Sequence, residues 1–542
     1  MAETIVPAPN IETPPSQLTL ESTPQNLETA AYGPFITDFT REHVSTIIER
    51  DLEDQKQEDV HKLLTYLLSR VSAPTNPTRE QSISLVKLTD KIMSSFTETE
   101  WSQIRIFRDE YLRSEEEQES YASWIKLTNR ALNASSQVHL DGTTGPSNVQ
   151  HRKSLSLQWY DHEGIITTRP VDFSTDQGLE IYLSLLYILQ RFDTIDWGIH
   201  PGFPPPPFHR SHDSHLNDPV VTIGNKRFRL TFKTRHKQWG IKGRATSAVD
   251  CVELDEHGIP GRDCVIKLSF PQELRVREHK FIDRALEIAK VNPHTLHHIP
   301  EYVAYEEYPE TSTGHIRRAL GIETTNHRQM YAIVLIQLKA PIYKLSGVDY
   351  WRAWWDCFQC HRVLWTNVVG VLSDCDLASL EGGMGKNTER TGTLPFMALD
   401  LLTEKGLKGH IRHTYEHDAE AFFWVAVVDD TIYPQTEELQ HEPNYQKILS
   451  WLTRSLSPIS LAESKSHWLM NPDTHCVTEK QKIGWDGGFS KLPRIWFIQQ
   501  SSQKYQTGPS LSATELYKEY LRIRDEHERV HPELKRNGPI SD

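Results

Sequence analysis

Apolar residues along this chain of 542 residues recur with two different periods, and the switches between them mark out its regions. From Phe35 the spacing is helical: Val44, Ile47 and Ile48, then Val60, Leu63, Leu64, Leu67 and Leu68, then Trp101, Ile104, Phe107 and Tyr111. This predicts amphipathic helices of a first region, followed by a polar loop over 134–153. Leu155, Leu157 and Trp159 then alternate with polar residues, Asp161-His162-Glu163-Gly164 supplies turn formers, and Ile165-Ile166 opens a second strand. The pattern is that of a β-hairpin. The Asp161-His162-Glu163 triplet has the chemistry of a metal site, but its place at a turn outweighs that reading. From Leu179 to Phe192 the chain is apolar nearly all round, so a buried helix is expected.

The period of two returns further on. Phe228, Leu230 and Phe232 alternate, the Gly-bearing stretch WGIKGRATSAVDCVEL runs from Trp239 to Leu254, and DCVIKLSF follows from Asp263 to Phe270. In that last strand Cys264, Ile266, Leu268 and Phe270 share one face, which turns Val265 and Lys267 to the other. Pro271 to Ala289 reads as helix, and Tyr331 to Leu338 as a buried strand. Trp351, Trp354, Phe358 and Trp365 form one helical stripe. The short apolar run Val368 to Leu372 then stops on Ser373-Asp374-Cys375-Asp376, a strand delivering carboxylates to its end. A charged, Gly-rich loop from Glu381 to Arg390 leads to Thr393 and a helix start at Phe396-Met397-Ala398-Leu399. Ala421 to Val428 is a very apolar helix, and Asp429-Asp430 is expected to end it early.

Six domains and linkers are expected: a disordered arm over 1–33, rich in Pro, Thr, Ser and Glu; an N-terminal helical and α+β region over 34–202; a Pro/His-rich linker over 203–218; two regions over 219–345 and 346–510, which the family resemblance given below makes an N-lobe and a C-lobe; and a charged helical tail over 511–542. Pro204 to Pro207 stiffen the linker, and His209, His212 and His215 after it read as solvated rather than as zinc ligands.

Composition narrows the classes. A formal net charge of -14 lacks the footprint of a nucleic-acid binder. Six cysteines do not make a disulfide framework, no signal-peptide core stands near the start, and no apolar run is long enough for a bilayer. An intracellular protein, cytoplasmic or nuclear, with no membrane or nucleic-acid partner is expected. Cys357-Phe358-Gln359-Cys360-His361 fits the pattern of covalent haem attachment, but it lies on the tryptophan helix, where packing is the better reading.

Three motifs in order, DCDLAS from Asp374, RTGTLPFMALDLL from Arg390 and YEHDAEAFFWV from Tyr415, closely resemble the fungal-type protein kinase family, a branch distantly similar to casein kinases. The resemblance spans roughly residues 150 to 500. It implies an α+β, two-lobed protein kinase-like fold behind the N-terminal region, with ATP and Mg2+ as cofactors. By resemblance Gly240 and Gly243 belong to the phosphate loop, Lys267 to the α and β phosphates and Glu278 to Lys267, while Gln337 and Leu338 stand at the adenine hinge and Asp374 at magnesium. Ala245 occupies a position that is usually small and glycine-like, and Asp418 matches the acid that braces the catalytic loop.

The motif H-R-D-x-x-x-x-N, which supplies the base and a second magnesium ligand in the family's reaction, has no complete match in the chain. In one alignment His361-Arg362-Val363 imitates it, with Val363 unable to take a proton. In the other, Cys360 to Trp365 is the end of the helix, and ~20 residues are missing between Trp365 and Thr366, judged from the family's arrangement. The clean break favours a wrongly spliced gene model over neutral decay. The implied reaction is transfer of the γ-phosphoryl of ATP to a protein Ser or Thr hydroxyl. The chain as written is expected to be impaired, since losing a base costs a factor of about 10² to 10⁴. The alternative is a pseudokinase serving as a nucleotide-binding or protein-interaction module.

Overall fold

The computed structural model describes residues 56–71, 84–113, 122–130, 154–203 apart from 194, 199 and 201, 219–237, 242–324, 327–336, 342–367, 394–432 apart from 408, 409 and 412, 443–452, 456–470, 489–496 and 511–535. The expected disordered arm and most of the proline linker lie outside these residues.

In the N-terminal region, helices α1 (Val60–Val71), α2 (Leu85–Ser95), α3 (Glu98–Arg113) and α4 (Asp176–Leu189) pack around small sheets. The expected hairpin is present as β3 (Gln158–Asp161) and β4 (Gly164–Thr168), with Trp159 opposite Ile166 and Asp161 opposite Gly164. A further strand that the alternation did not announce, β1 (Lys56–Glu58), lies parallel to β4. Two short strands, β2 (Ser154–Leu155) and β5 (Val171–Asp172), form a separate pair. Helix α4 starts at Asp176 because the Thr175 hydroxyl caps it by accepting the Gly178 amide.

The next unit is a six-stranded antiparallel sheet in the order β10-β11-β9-β8-β7-β6. Its strands are β6 (Val220–Ile223), β7 (Lys226–Lys237), β8 (Ser247–Leu254), β9 (Pro260–Ser269), β10 (Tyr302–Tyr308) and β11 (Met330–Ile336). Helix α5 (Glu278–Val291) connects β9 to β10 and covers one face. The opposite face buries Val221, Phe228, Cys251, Cys264, Ile266, Ala332 and Val334. Helix α6 (Gly314–Leu320) interrupts the connection from β10 to β11. Its Ile316 and Leu320 enter the N-terminal region's core beside Leu63, Ile104 and Leu183, so two regions separated by the linker share one apolar cluster.

The large lobe is helical and built on aromatics: α7 (Gly347–Asn367), α8 (Tyr415–Ile432), α9 (Pro443–Leu452), α10 (Pro458–Met470) and α11 (Ala513–Val530). Trp351, Trp354 and Phe358 of α7 are buried with Trp424, Trp451, Trp468, Trp496 and Tyr520. One sequence expectation changes. Asp429-Asp430 does not end α8, which continues to Ile432 with Asp429 buried, because Val427, Val428 and Ile432 anchor that turn in the core. The charged C-terminal segment is helical as α11 and packs on the lobe: Leu516, Tyr520 and Ile523 sit in the same core, and a Ser512/Glu515 capping box starts it. Lobe meets lobe where Cys360 and Leu364 of α7 pack beneath Phe281 and Ile282 of α5.

The Tyr520 hydroxyl donates to the Ala419 carbonyl at 3.0 Å and accepts the Trp496 indole N–H at 3.1 Å. Tyr520→Ala should therefore destabilise the large lobe by about 3–5 kcal/mol, the cost of emptying a buried aromatic site, read as a lower urea midpoint. A change within about 0.5 kcal/mol, the figure for a surface residue, would show that α11 carries no core.

Candidate functional site

Lys267 sits on β9, a central strand, opposite Ile333 of β11 and Ala248 of β8. The alternation of β9 turns it to the face that α5 covers. There its Nζ lies 3.1 Å and 3.3 Å from the two carboxylate oxygens of Glu278, the first residue of α5. The lysine side chain is 12% exposed and the glutamate 2%. Burying both charges is costly, and removing one partner leaves the other uncompensated at about 3–5 kcal/mol.

The neighbours of Glu278 fix where it stands. Arg277 is buried, with Nε donating to Glu307 of β10 at 2.8 Å and Nη1 to the Gln272 carbonyl at 2.9 Å. The His279 ring stacks on Tyr305 at 3.6 Å, and its Nδ1 is 3.0 Å from the Tyr331 hydroxyl. Burial lowers the pKa of His279, which favours the neutral ring in this stack. The start of α5 is thus pinned to β10 and β11, with Lys267 held between.

The helix expected from Pro271 begins seven residues later. Gln272 bridges Arg328, the Glu273 amide donates to the His327 carbonyl at 2.7 Å, and the Pro271 carbonyl accepts the Gln329 amide at 3.1 Å, so this stretch spends its backbone groups on the strand beside it.

Of the two glycines that the resemblance assigns to a phosphate loop, Gly243 is described, with φ +121°, where a side chain is strained. Ala245 has φ +45° and is, among the described residues, the single non-glycine at positive φ. The glycine-like position recognised in the sequence does need a glycine's backbone, and the alanine there costs roughly 1–2 kcal/mol. Gly240, Gln337, Leu338 and Asp374 lie outside the described residues, as does Thr393.

In the large lobe, His361-Arg362-Val363 falls within α7, which runs unbroken to Asn367. Of the two alignments offered by the sequence, the one that places these letters in the helix agrees with this. Cys360 is buried, its thiol pushed up to about 12 by burial, and Cys357 is raised to about 11, so neither favours a thiolate. His361 turns instead to Asp418: its Nε2 donates to one carboxylate oxygen at 3.0 Å, and His413 Nε2 donates to the other at 2.7 Å. Burial by itself would raise the Asp418 carboxyl, yet the two histidine hydrogen bonds outweigh it and hold the group far below the usual carboxylate range. The acid matched to the brace of the catalytic loop is occupied by two side chains. Close by, the segment after the undescribed stretch is tied down, with the Leu399 amide donating to Glu420 at 3.0 Å and Lys465 Nζ to the Met397 carbonyl at 2.7 Å.

Sequence reasoning missed Arg277, His279, Asp161, Glu163 and Arg317 as site-building residues. Arg277 and His279 were legible only as neighbours of Glu278. The others meet across more than 150 positions, with Arg317 Nη2 donating to Asp161 at 2.9 Å and Arg317 Nε 3.2 Å from Glu163.

An antiparallel sheet with a largely enclosed strand lysine paired to the buried first residue of the helix behind it, set on a helical lobe, defines a protein kinase-like fold. The family model described as "Fungal protein kinase" matches residues 83–346 and 365–428, more than half of the chain, and the chain belongs to that family. The match begins earlier and ends earlier than the 150–500 span of the motif resemblance. It breaks across most of α7 and resumes at Trp365, the residue at which one of the two sequence alignments ends the helix. No curated protein matches the chain significantly. Among the described residues no helix is long and apolar enough to cross a membrane.

Because ionised Asp418 has a depressed folded-state pKa, its contribution is fully present above the ordinary Asp value of about 3.9 and is lost as pH falls through the folded value. Asp418→Asn should lower the urea midpoint at pH 7 and flatten the fall in stability below about pH 4. Parallel acid profiles for the two proteins would contradict this role.

Proposed function

We propose that the small lobe binds ATP with magnesium and that the chain as written does not transfer the γ-phosphoryl group at the rates of an active kinase. The observation that carries the reading is the buried Lys267–Glu278 pair. Its lysine is held by a helix that is itself pinned to the sheet, which suits an ammonium placed in advance for an anionic group. A loop at Gly243, on the turn between β7 and β8, adds backbone that takes positive φ beside the same sheet.

In this reading Lys267 holds the α and β phosphates, Glu278 orients Lys267, Gly240 and Gly243 line the phosphate loop, Gln337 and Leu338 border the adenine, and Asp374 takes magnesium. Bound Mg-ATP would supply the phosphoryl group. The protein's own part in the family reaction, accepting the proton of a Ser or Thr hydroxyl, lacks its base: Val363 stands in the imitation motif, and Asp418 is engaged by His361 and His413. The reading concerns this chain. A transcript with added coding sequence between codons 365 and 366 would encode a longer protein and reopen catalysis.

A thermal-shift titration tests the binding half. Saturating Mg-ATP should raise the midpoint of wild type by a few degrees, since ligand at 100 times Kd stabilises by about 2.7 kcal/mol. Lys267→Ala should lose that increment as well as start from a lower midpoint. An equal increment in both proteins, or none in wild type, would remove nucleotide from the account.

A further inference from the structure

The turn Asp161-His162-Glu163-Gly164 closes the β3–β4 hairpin of the N-terminal region, yet it docks on the small lobe beside the phosphate loop. Asp161 accepts from Arg317 Nη1 at 2.5 Å and from Nη2 at 2.9 Å. Glu163 lies 3.2 Å from Arg317 Nε and accepts from the hydroxyls of Thr313 at 2.6 Å and Thr324 at 2.5 Å, with His327 Nδ1 at 3.2 Å. The Arg317 side chain is 4% exposed and that of Glu163 8%. A guanidinium this buried is held in place by its carboxylates, and the carboxylates by it.

Between these two acids, His162 reaches the loop itself. Its carbonyl accepts the Gly243 amide at 2.9 Å, and its ring lies 3.8 Å from that of Phe270. The Phe270 amide in turn donates to the Arg244 carbonyl at 2.6 Å. Residues 243–245 are therefore fastened by two backbone hydrogen bonds, one to His162 and one to Phe270, in a conformation that includes the strained φ of Ala245. Strain of this kind persists only where the surroundings over-determine it.

We propose that the β3–β4 hairpin is an intramolecular restraint on the phosphate loop, so that hairpin docking and nucleotide binding oppose each other. The proposal rests on the nucleotide reading above. A backbone amide has a single proton to donate, and the Gly243 proton given to His162 is withheld from a phosphate. Linkage makes the effect reciprocal: bound nucleotide loosens the hairpin, and a loosened hairpin raises nucleotide affinity by the same factor. The N-terminal region thereby acts on the small lobe through its turn and Arg317, with no side chain of its own needed at the nucleotide.

The test uses the full chain with Asp161→Asn/Glu163→Gln, neutral isosteres that remove the charges facing Arg317. Two quantities are read: hydrogen exchange of the amides over 242–247, with α7 amides as a control for folding, and the Kd for Mg-ATP by titration. Faster exchange in the loop with α7 unchanged, and Mg-ATP binding about three- to tenfold tighter, the worth of one released hydrogen bond, is the expected result. His162→Ala, which removes only the ring on Phe270, should shift both in the same direction by less and serves if the double variant does not fold. Unchanged loop exchange overturns the restraint. Equal or weaker, measurable binding by the variant overturns the opposition alone. Binding by neither overturns the nucleotide reading and the opposition with it, while loop exchange still decides whether the hairpin holds the loop.

Discussion

A buried cation must meet its counter-charge inside the protein, and in this chain that requirement adds specific ties between elements that the apolar clusters already bring together. Lys267 meets Glu278 and joins strand to helix. Arg277 meets Glu307 and joins the same helix to the edge strand. Arg317 meets Asp161 and Glu163 and joins the insert between β10 and β11 to the N-terminal hairpin. For the Lys267 and Arg317 pairs, whose partners are largely enclosed, the low-dielectric surroundings penalise arrangements that leave a charge alone. Apolar packing brings these faces together, and the ion pairs set their registration.

The same constraint explains the large lobe. Asp418 is a half-buried acid on a helix packed in a dense aromatic core. In the family's arrangement a catalytic loop would engage it, whereas in this chain His361 and His413 donate to both of its oxygens. The acid is thus satisfied by two histidine side chains of the same lobe, and the lobe keeps its core of tryptophans around them. One lobe holds its strand lysine against the helix glutamate behind it; the other holds Asp418 between two histidines.

Much of this was legible in the sequence. Strand alternation turned Lys267 away from Cys264 and Ile266, and the structure buries the latter two on the opposite face. The stripe of Trp351, Trp354 and Phe358 became the large-lobe core. What stayed hidden depends on distance along the chain. Asp161-His162-Glu163 is a turn, as its composition indicated, but nothing local says that Arg317 and Thr324 will close over its acids. His361 was visible only as a letter of a false motif, because its partner Asp418 lies 57 positions on. Helix ends were misjudged wherever long-range contacts decide them: backbone pairing around Gln272 delays α5, and core contacts of Ile432 extend α8 past two aspartates. The charged α11 reads as surface from its composition, since only a few of its residues face inward.

The central claim is a nucleotide lobe coupled to a lobe without a base. Single-turnover transfer from γ-labelled ATP tests it most directly, with the full chain in excess over nucleotide, magnesium present, and a Ser/Thr-rich protein acceptor. The account predicts nucleotide retained by the protein and label transfer at no more than about one hundredth of kinase rates, which run from about 1 to 100 per second. Transfer to serine or threonine within that range would contradict it, and would mean that a base has been supplied by a residue other than those the family motif names.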